Sequence, residues 1–126
     1  MPQTRKQRLG RWGESVAAAF LERRGYQILE RNARARPGEI DLVARHETEG
    51  LVFVEVKTRS TDSFGLPEEA VDERKLEHIF RAAEAYLQAH PALEQLDWRI
   101  DVIAIQGRPG EKVEDVTIEH FKNITA

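Results

Sequence analysis

No cysteine occurs among the 126 residues. Without thiols there is neither a disulfide framework nor a Cys-ligated zinc or iron–sulfur site, although the redox compartment stays open on that ground alone. Long apolar runs are missing as well. Nothing approaches the roughly 18 to 20 residues of a membrane span, and the basic, polar first dozen residues lack the apolar core of a signal peptide. Internal repeats and low-complexity tracts do not occur either. These absences lead to the expectation of a cytoplasmic protein. At 40% hydrophobic and 33% charged residues, the chain is too apolar for a disordered one and too short for two ordinary domains. One compact domain over residues 1–126 is expected, with residues 1–8 as a flexible basic tail.

Charge of one sign is scarce only in sum. The formal net charge is -3, yet residues 1–36 hold nine Lys/Arg (Arg5, Lys6, Arg8, Arg11, Arg23, Arg24, Arg31, Arg34, Arg36) against Glu14, Glu22 and Glu30. The rest of the chain is correspondingly acidic. A basic segment on an acidic body is either an electrostatic footprint for phosphates or the solvated face of a helix, and charge alone does not choose between them.

Leu9, Trp12, Val16 and Phe20 recur at steps of three and four, the stripe of an amphipathic helix over residues 9–24 that Gly25 ends. Short apolar runs at 26–32, 39–45 and 51–59 read as strands, and their brief connections make an antiparallel meander. Residues 60–67 read as a loop. Asp72 can cap a helix with the apolar face Leu76, Ile79, Phe80, Ala83 and Leu87, ending before Pro91. That helix is a crossover to a buried strand at 98–105, and a weaker strand follows at 116–121. The predicted fold is an α/β sandwich around a small mixed sheet of four to five strands flanked by helices.

The second and third strands break the pattern of purely structural strands. A period of two puts Ile40, Leu42 and Ala44 on one face and Glu39, Asp41 and Val43 on the other. In the third strand it aligns Val52, Val54 and Val56, leaving Leu51, Phe53, Glu55, Lys57 and Arg59 opposite. A glutamate and a lysine in a central strand cost several kcal/mol if buried without partners, roughly speaking. They are either an ion pair at the sheet's margin or part of a site. An acid on one strand and Glu-x-Lys on its neighbour can converge on one point. Two carboxylates are hard oxygen ligands for Mg2+, and the lysine can position a water or stabilise charge on a phosphate.

The ordered set 38–44 (Gly-Glu-Ile-Asp-Leu-Val-Ala) and 51–59 (Leu-Val-Phe-Val-Glu-Val-Lys-Thr-Arg) resembles the YraN family of uncharacterised bacterial proteins. That family is itself similar to restriction-endonuclease-like nucleases and archaeal Holliday-junction resolvases. The resemblance extends through Gly13-Glu14, Gly25-Tyr26, Arg31-Asn32, Gly65, Pro67, Lys75 and Asp101-Val102-Ile103, over about residues 10–105. It implies a restriction-endonuclease-like fold and a metal-dependent DNA endonuclease using Mg2+ or Mn2+. Asp41 and Glu55 would be its metal-binding carboxylates, Lys57 the catalytic lysine, and Glu14 a further acid and metal ligand from the first helix. The resolvase likeness adds branched DNA as a substrate class and a two-fold homodimer. Proline often precedes the first acid in that superfamily, whereas Ile40 stands there in this chain.

Other positions keep two readings. Glu39 either supports the site or caps a strand edge. Arg11, Arg59 and Lys75 either contact phosphates or face solvent. Asp101 suits a structural pair with Arg99, the four histidines lack metal-ligand spacing and read as surface residues, and Trp12 and Trp98 fit core positions. A non-catalytic nucleic-acid-binding or protein-interaction module on the same scaffold is the alternative function, and a structural domain with an inert ion-pair cluster is the third.

Overall fold

The computed structural model describes residues 2–36, 38–60 and 72–124. Past Ser60, the loop expected over 60–67 lies outside the described residues. Helix α1 (Arg5–Arg23) is followed by β1 (Tyr26–Ala35), β2 (Gly38–His46) and β3 (Gly50–Arg59), then α2 (Glu73–Ala89), β4 (Trp98–Gln106) and β5 (Thr117–Phe121). The five strands form one sheet in the order β1-β2-β3-β4-β5. β1, β2 and β3 are the expected antiparallel meander; β3 and β4 are parallel, joined through α2, and β5 returns antiparallel to β4. Among the described residues no helix is long and apolar enough to cross a membrane.

α1 begins four residues earlier than the apolar stripe suggests. Thr4 accepts a hydrogen bond from the Gln7 amide at 3.1 Å, and its own amide donates to the Gln7 side chain at 2.9 Å, forming a capping box. Residues 5–8 are therefore helix, not tail. The buried line of α1 also differs from the large apolar residues that mark it in the sequence. Gly13, Ala17, Ala18 and Leu21 are buried, whereas Leu9, Trp12, Val16 and Phe20 are only half-buried. Close approach is the reason: a Cβ on Gly13 would collide with the Thr58 side chain of β3. The helix lies against the sheet along its small residues, and the larger ones seal its margins.

α1 covers a core of Leu21, Leu42, Ala44, Val52, Val54, Ile103 and neighbouring residues on one face of the sheet. α2 covers the other, where Phe53 packs edge-on against Tyr86 and Trp98 with ring centroids 5.7 and 5.5 Å apart. Phe80, expected inside, is 39% exposed and leans on Trp98; Ala82 and Tyr86 take the buried places. Both tryptophans are half-buried at the edges of these cores.

A second polar cluster lies at the start of β4. Asp101 is fully buried and accepts from Arg99 Nε at 2.9 Å and the Asn123 amide at 2.8 Å, with His120 Nε2 at 2.7 Å. Burial alone would raise its pKa, but the bonds from His120, Arg99 and Asn123 hold it below the usual range. Asp101 is thus the structural partner of Arg99 that the sequence suggests. The surface reading of the histidines fails at two of the four. The His120 side chain is 8% exposed because Asp101 needs it, and His46 is half-buried against Tyr26, ring centroids 4.8 Å apart.

The sheet is forked. β2 and β3 pair only from Leu42↔Val54 to His46↔Gly50. Beyond that point Gly38–Asp41 stays with β1, and Glu55–Arg59 stays with β4. Alternation breaks at the fork: Ile40 joins Val43 in the α2-side core, while Leu42 and Ala44 face α1. The single-face assignment of Ile40 with Leu42 and Ala44 is therefore incorrect, because a strand leaving its neighbour need not keep the neighbour's pleat.

Candidate active site

Asp41 and Glu55 are the first residues beyond the last β2–β3 pair, one on each arm of the fork. Parting leaves the Val56 amide without its ladder partner, and Asp41 Oδ2 accepts from it at 2.8 Å. A carboxylate thus takes the place of a backbone carbonyl, which fixes Asp41 in the cleft. Glu55 points towards α2, as the period from Phe53 requires. There its Oε1 lies 3.2 Å from Lys57 Nζ and 3.1 Å from Lys75 Nζ, the latter delivered by the first turn of α2. The Glu55–Lys57 ion pair, one of the two readings open from sequence, is present, but Glu55 is shared between two lysines beside a second acid.

α1 brings Glu14 from the other side. Gly13 allows the helix down onto Thr58, and the next residue reaches the cleft, where it acts electrostatically on Asp41. Glu14 Oε1 is buried and has no hydrogen-bond partner. On β1 the pairs Arg31↔Leu42 and Ala33↔Ile40 set Asn32 across from Asp41. Asn32 has φ 52°, a left-handed conformation that asparagine tolerates better than most residues, and its side chain interacts with Glu14.

Carboxylates crowded in a cleft resist ionisation. Burial, then the charge of Glu55, pushes Asp41 up to about 7 against the opposing Val56 hydrogen bond, with Glu14 adding to the rise. Glu14 is raised by burial and by Glu39, while Asn32, Arg31 and Arg11 pull it back. The lysines divide. Burial, together with Lys75, lowers Lys57; for Lys75 burial is outweighed by Lys57 and Glu55, and its pKa rises. Of the two, Lys57 therefore holds its proton less tightly. Among the described residues no group of three or more His, Asp or Glu side chains is assembled to hold a metal ion. What the fork offers a cation is hard oxygen chemistry: two neighbouring carboxylates repelling each other, and one orphaned carboxylate oxygen behind them.

Asp41, Glu55, Lys57 and Lys75 thus come together, with Glu14 adjoining. Arg11 is one helical turn before Glu14 and within electrostatic range of it, and the exposed Glu39 acts on Glu14. Arg59 stands two residues past Lys57 at the end of β3. Arg23 and Arg24 end α1, so only part of the basic segment flanks the cleft. Sequence reasoning misses Asn32 as a site residue. Its signal is a strand asparagine, a residue type depleted in strands unless the backbone needs it.

The model of the uncharacterised protein family UPF0102 matches residues 13–105. UPF0102 proteins of Roseiflexus castenholzii and Syntrophotalea carbinolica are 47% and 51% identical over 93% and 90% of this chain, and the matches cover 92% and 87% of theirs. One of Caldanaerobacter subterraneus is 41% identical over 98% of both chains. Among solved structures, that of Pyrococcus furiosus SfsA in complex with Ca2+ aligns at a TM-score of 0.42 and 12% identity, over 90% of this chain and 63% of its own. The long, high-identity matches carry the assignment, and the family model spans the fork, α2 and α1 from Gly13 onwards: the chain belongs to family UPF0102, that of the YraN proteins it resembles.

Proposed function

We propose that the fork is the active centre of a metal-dependent DNA endonuclease that hydrolyses phosphodiester bonds, branched DNA being one substrate class. The observation that carries this reading is the convergence of Asp41, Glu55 and Lys57 where β2 and β3 part. Asp41 and Glu55 would hold Mg2+ or Mn2+, with the unpartnered oxygen of Glu14 close by. Such an ion polarises a phosphodiester oxygen and makes a water more acidic. Lys57 Nζ, paired with Glu55 at the cleft, can position the attacking water or donate to an oxygen of the phosphate. Lys75, which stays an ammonium, neutralises Glu55 and faces the same cleft.

Purified protein with Mg2+ or Mn2+ should cut at least one of duplex, single-stranded, flap or four-way DNA. Asp41→Asn and Glu55→Gln should each lower the rate by about a thousandfold or more, as removal of a main electrostatic group does. If wild type leaves the whole panel intact with either metal, catalysis is the part to abandon. One observation favours the non-catalytic alternative, a nucleic-acid-binding or interaction module: both Glu55 lysines already satisfy its charge. On that reading DNA binding is salt-dependent and indifferent to Asp41→Asn.

A further inference from the structure

Beside the fork, the start of α1, Ser60 after β3 and the turn after β4 line a second concavity of about 820 Å3. Arg5, Lys6 and Arg8 enter it from the start of α1, and Arg108 from the turn after β4. Leu9, Ser60 and Pro109 line it as well, and among the described residues the lining contains no acid. All four cations are exposed. Three of them sit at the positive end of a helix whose first turn has no acidic residue, a placement the helix dipole disfavours and a bound anion relieves. The Thr4–Gln7 box already occupies helix amides there, so an anion would be held by side chains from two separate segments, not by the helix terminus alone.

The cleft and the fork are linked along two elements, β3 and α1. Ser60 directly follows β3, five residues after Glu55, or at most about 17 Å at strand spacing. On α1, Arg8, Arg11 and Glu14 succeed one another at steps of three, each a rise of about 4.5 Å. A lone phosphate would fill one location, whereas a phosphodiester chain can occupy both.

We infer that the Arg5/Lys6/Arg8/Arg108 cleft binds the sugar–phosphate backbone of DNA several nucleotides from the bond at the fork. The inference rests on the reading of the fork as a phosphodiester site. It makes Arg11 the link between cleft and fork.

The test is fluorescence anisotropy of a labelled 30-base-pair duplex in EDTA, where binding is seen without cleavage, across a salt series. Neutralising the cleft (Arg5→Gln, Lys6→Gln, Arg8→Gln, Arg108→Gln) should weaken binding at least tenfold at moderate salt. It should also reduce the slope of log K on log salt by about 0.9 for each lost phosphate contact. Arg108→Glu alone, outside the helix, should act in the same direction, while Arg5→Lys with Arg8→Lys should preserve most of the slope. Wild-type affinity and slope in both the neutralised and the Arg108→Glu proteins would overturn the inference. So would cleft-dependent binding to phosphatidylglycerol vesicles with none to DNA, which would make the cleft a membrane-surface contact. Cleft-dependent DNA binding without cleavage of any substrate supports the cleft and refutes catalysis at the fork. Cleavage with binding indifferent to the cleft variants does the reverse.

Discussion

Asp41 concentrates the cost of the fork in one side chain. Its pKa, raised to about 7 first by burial and then by Glu55, means that the folded protein binds a proton which the unfolded chain has released. Between about pH 4 and pH 7 the folded state therefore holds more protons, and stability from this group must fall as pH rises, levelling off above 7. The loss is at most roughly 4 kcal/mol, at about 1.4 kcal/mol for each tenfold change in proton affinity. Denaturant unfolding in EDTA should show this decline in wild type, and Asp41→Asn should flatten it while retaining an acceptor for the Val56 amide. A wild-type stability that climbs from pH 5 to pH 7.5, or an Asp41→Asn protein with the same profile as wild type, would show that Asp41 is not strained in this way. The triplet Asp41, Glu55 and Lys57 is legible from residue type and order. The sharing of Glu55 with Lys75 and the left-handed Asn32 are not, because both depend on which segments meet in space.

At the scale of elements, α1 depends on a contact that makes two similar glycines behave oppositely. Gly10 has open space where a Cβ would stand, so Gly10→Ala should gain the ordinary helix preference, up to about 1 kcal/mol. Gly13 abuts Thr58, so the same substitution there forces helix and sheet apart. It should lose about 1 to 3 kcal/mol despite that preference, the usual range for an overpacked contact. Chemical denaturation of both variants checks the pair, and equal stabilisation by the two alanines would mean that Gly13 does not set the spacing. A helix is evident here from the sequence, but its inner face is not. Leu9, Trp12, Val16 and Phe20 make the more obvious apolar stripe, while Gly13 and Ala17, which score low on any hydrophobic pattern, make the close contact. Strand parity fails for a related reason: alternation predicts faces only while a strand stays paired, and β2 leaves β3 at Leu42.

Across the whole molecule, the order of elements and the mixed sheet follow from local signals: Gly25 as a stop, short connections for the meander, and a helix long enough to carry a parallel crossover. The fork does not, since it is a property of two pairings separated in sequence. It gives the fold an opening in the middle of a sheet, between the two helices that cover its faces. The claim on which the functional reading depends is that this opening holds a divalent cation between Asp41 and Glu55. Calorimetric titration of Mn2+ into the protein near pH 6.5, in two buffers of different ionisation enthalpy, tests it most directly. Binding is expected with release of a fraction of a proton, because a cation displaces the one held by Asp41, and both the heat and the release should disappear in Asp41→Asn. Absence of Mn2+ binding in wild type, or binding unchanged by Asp41→Asn, would contradict it.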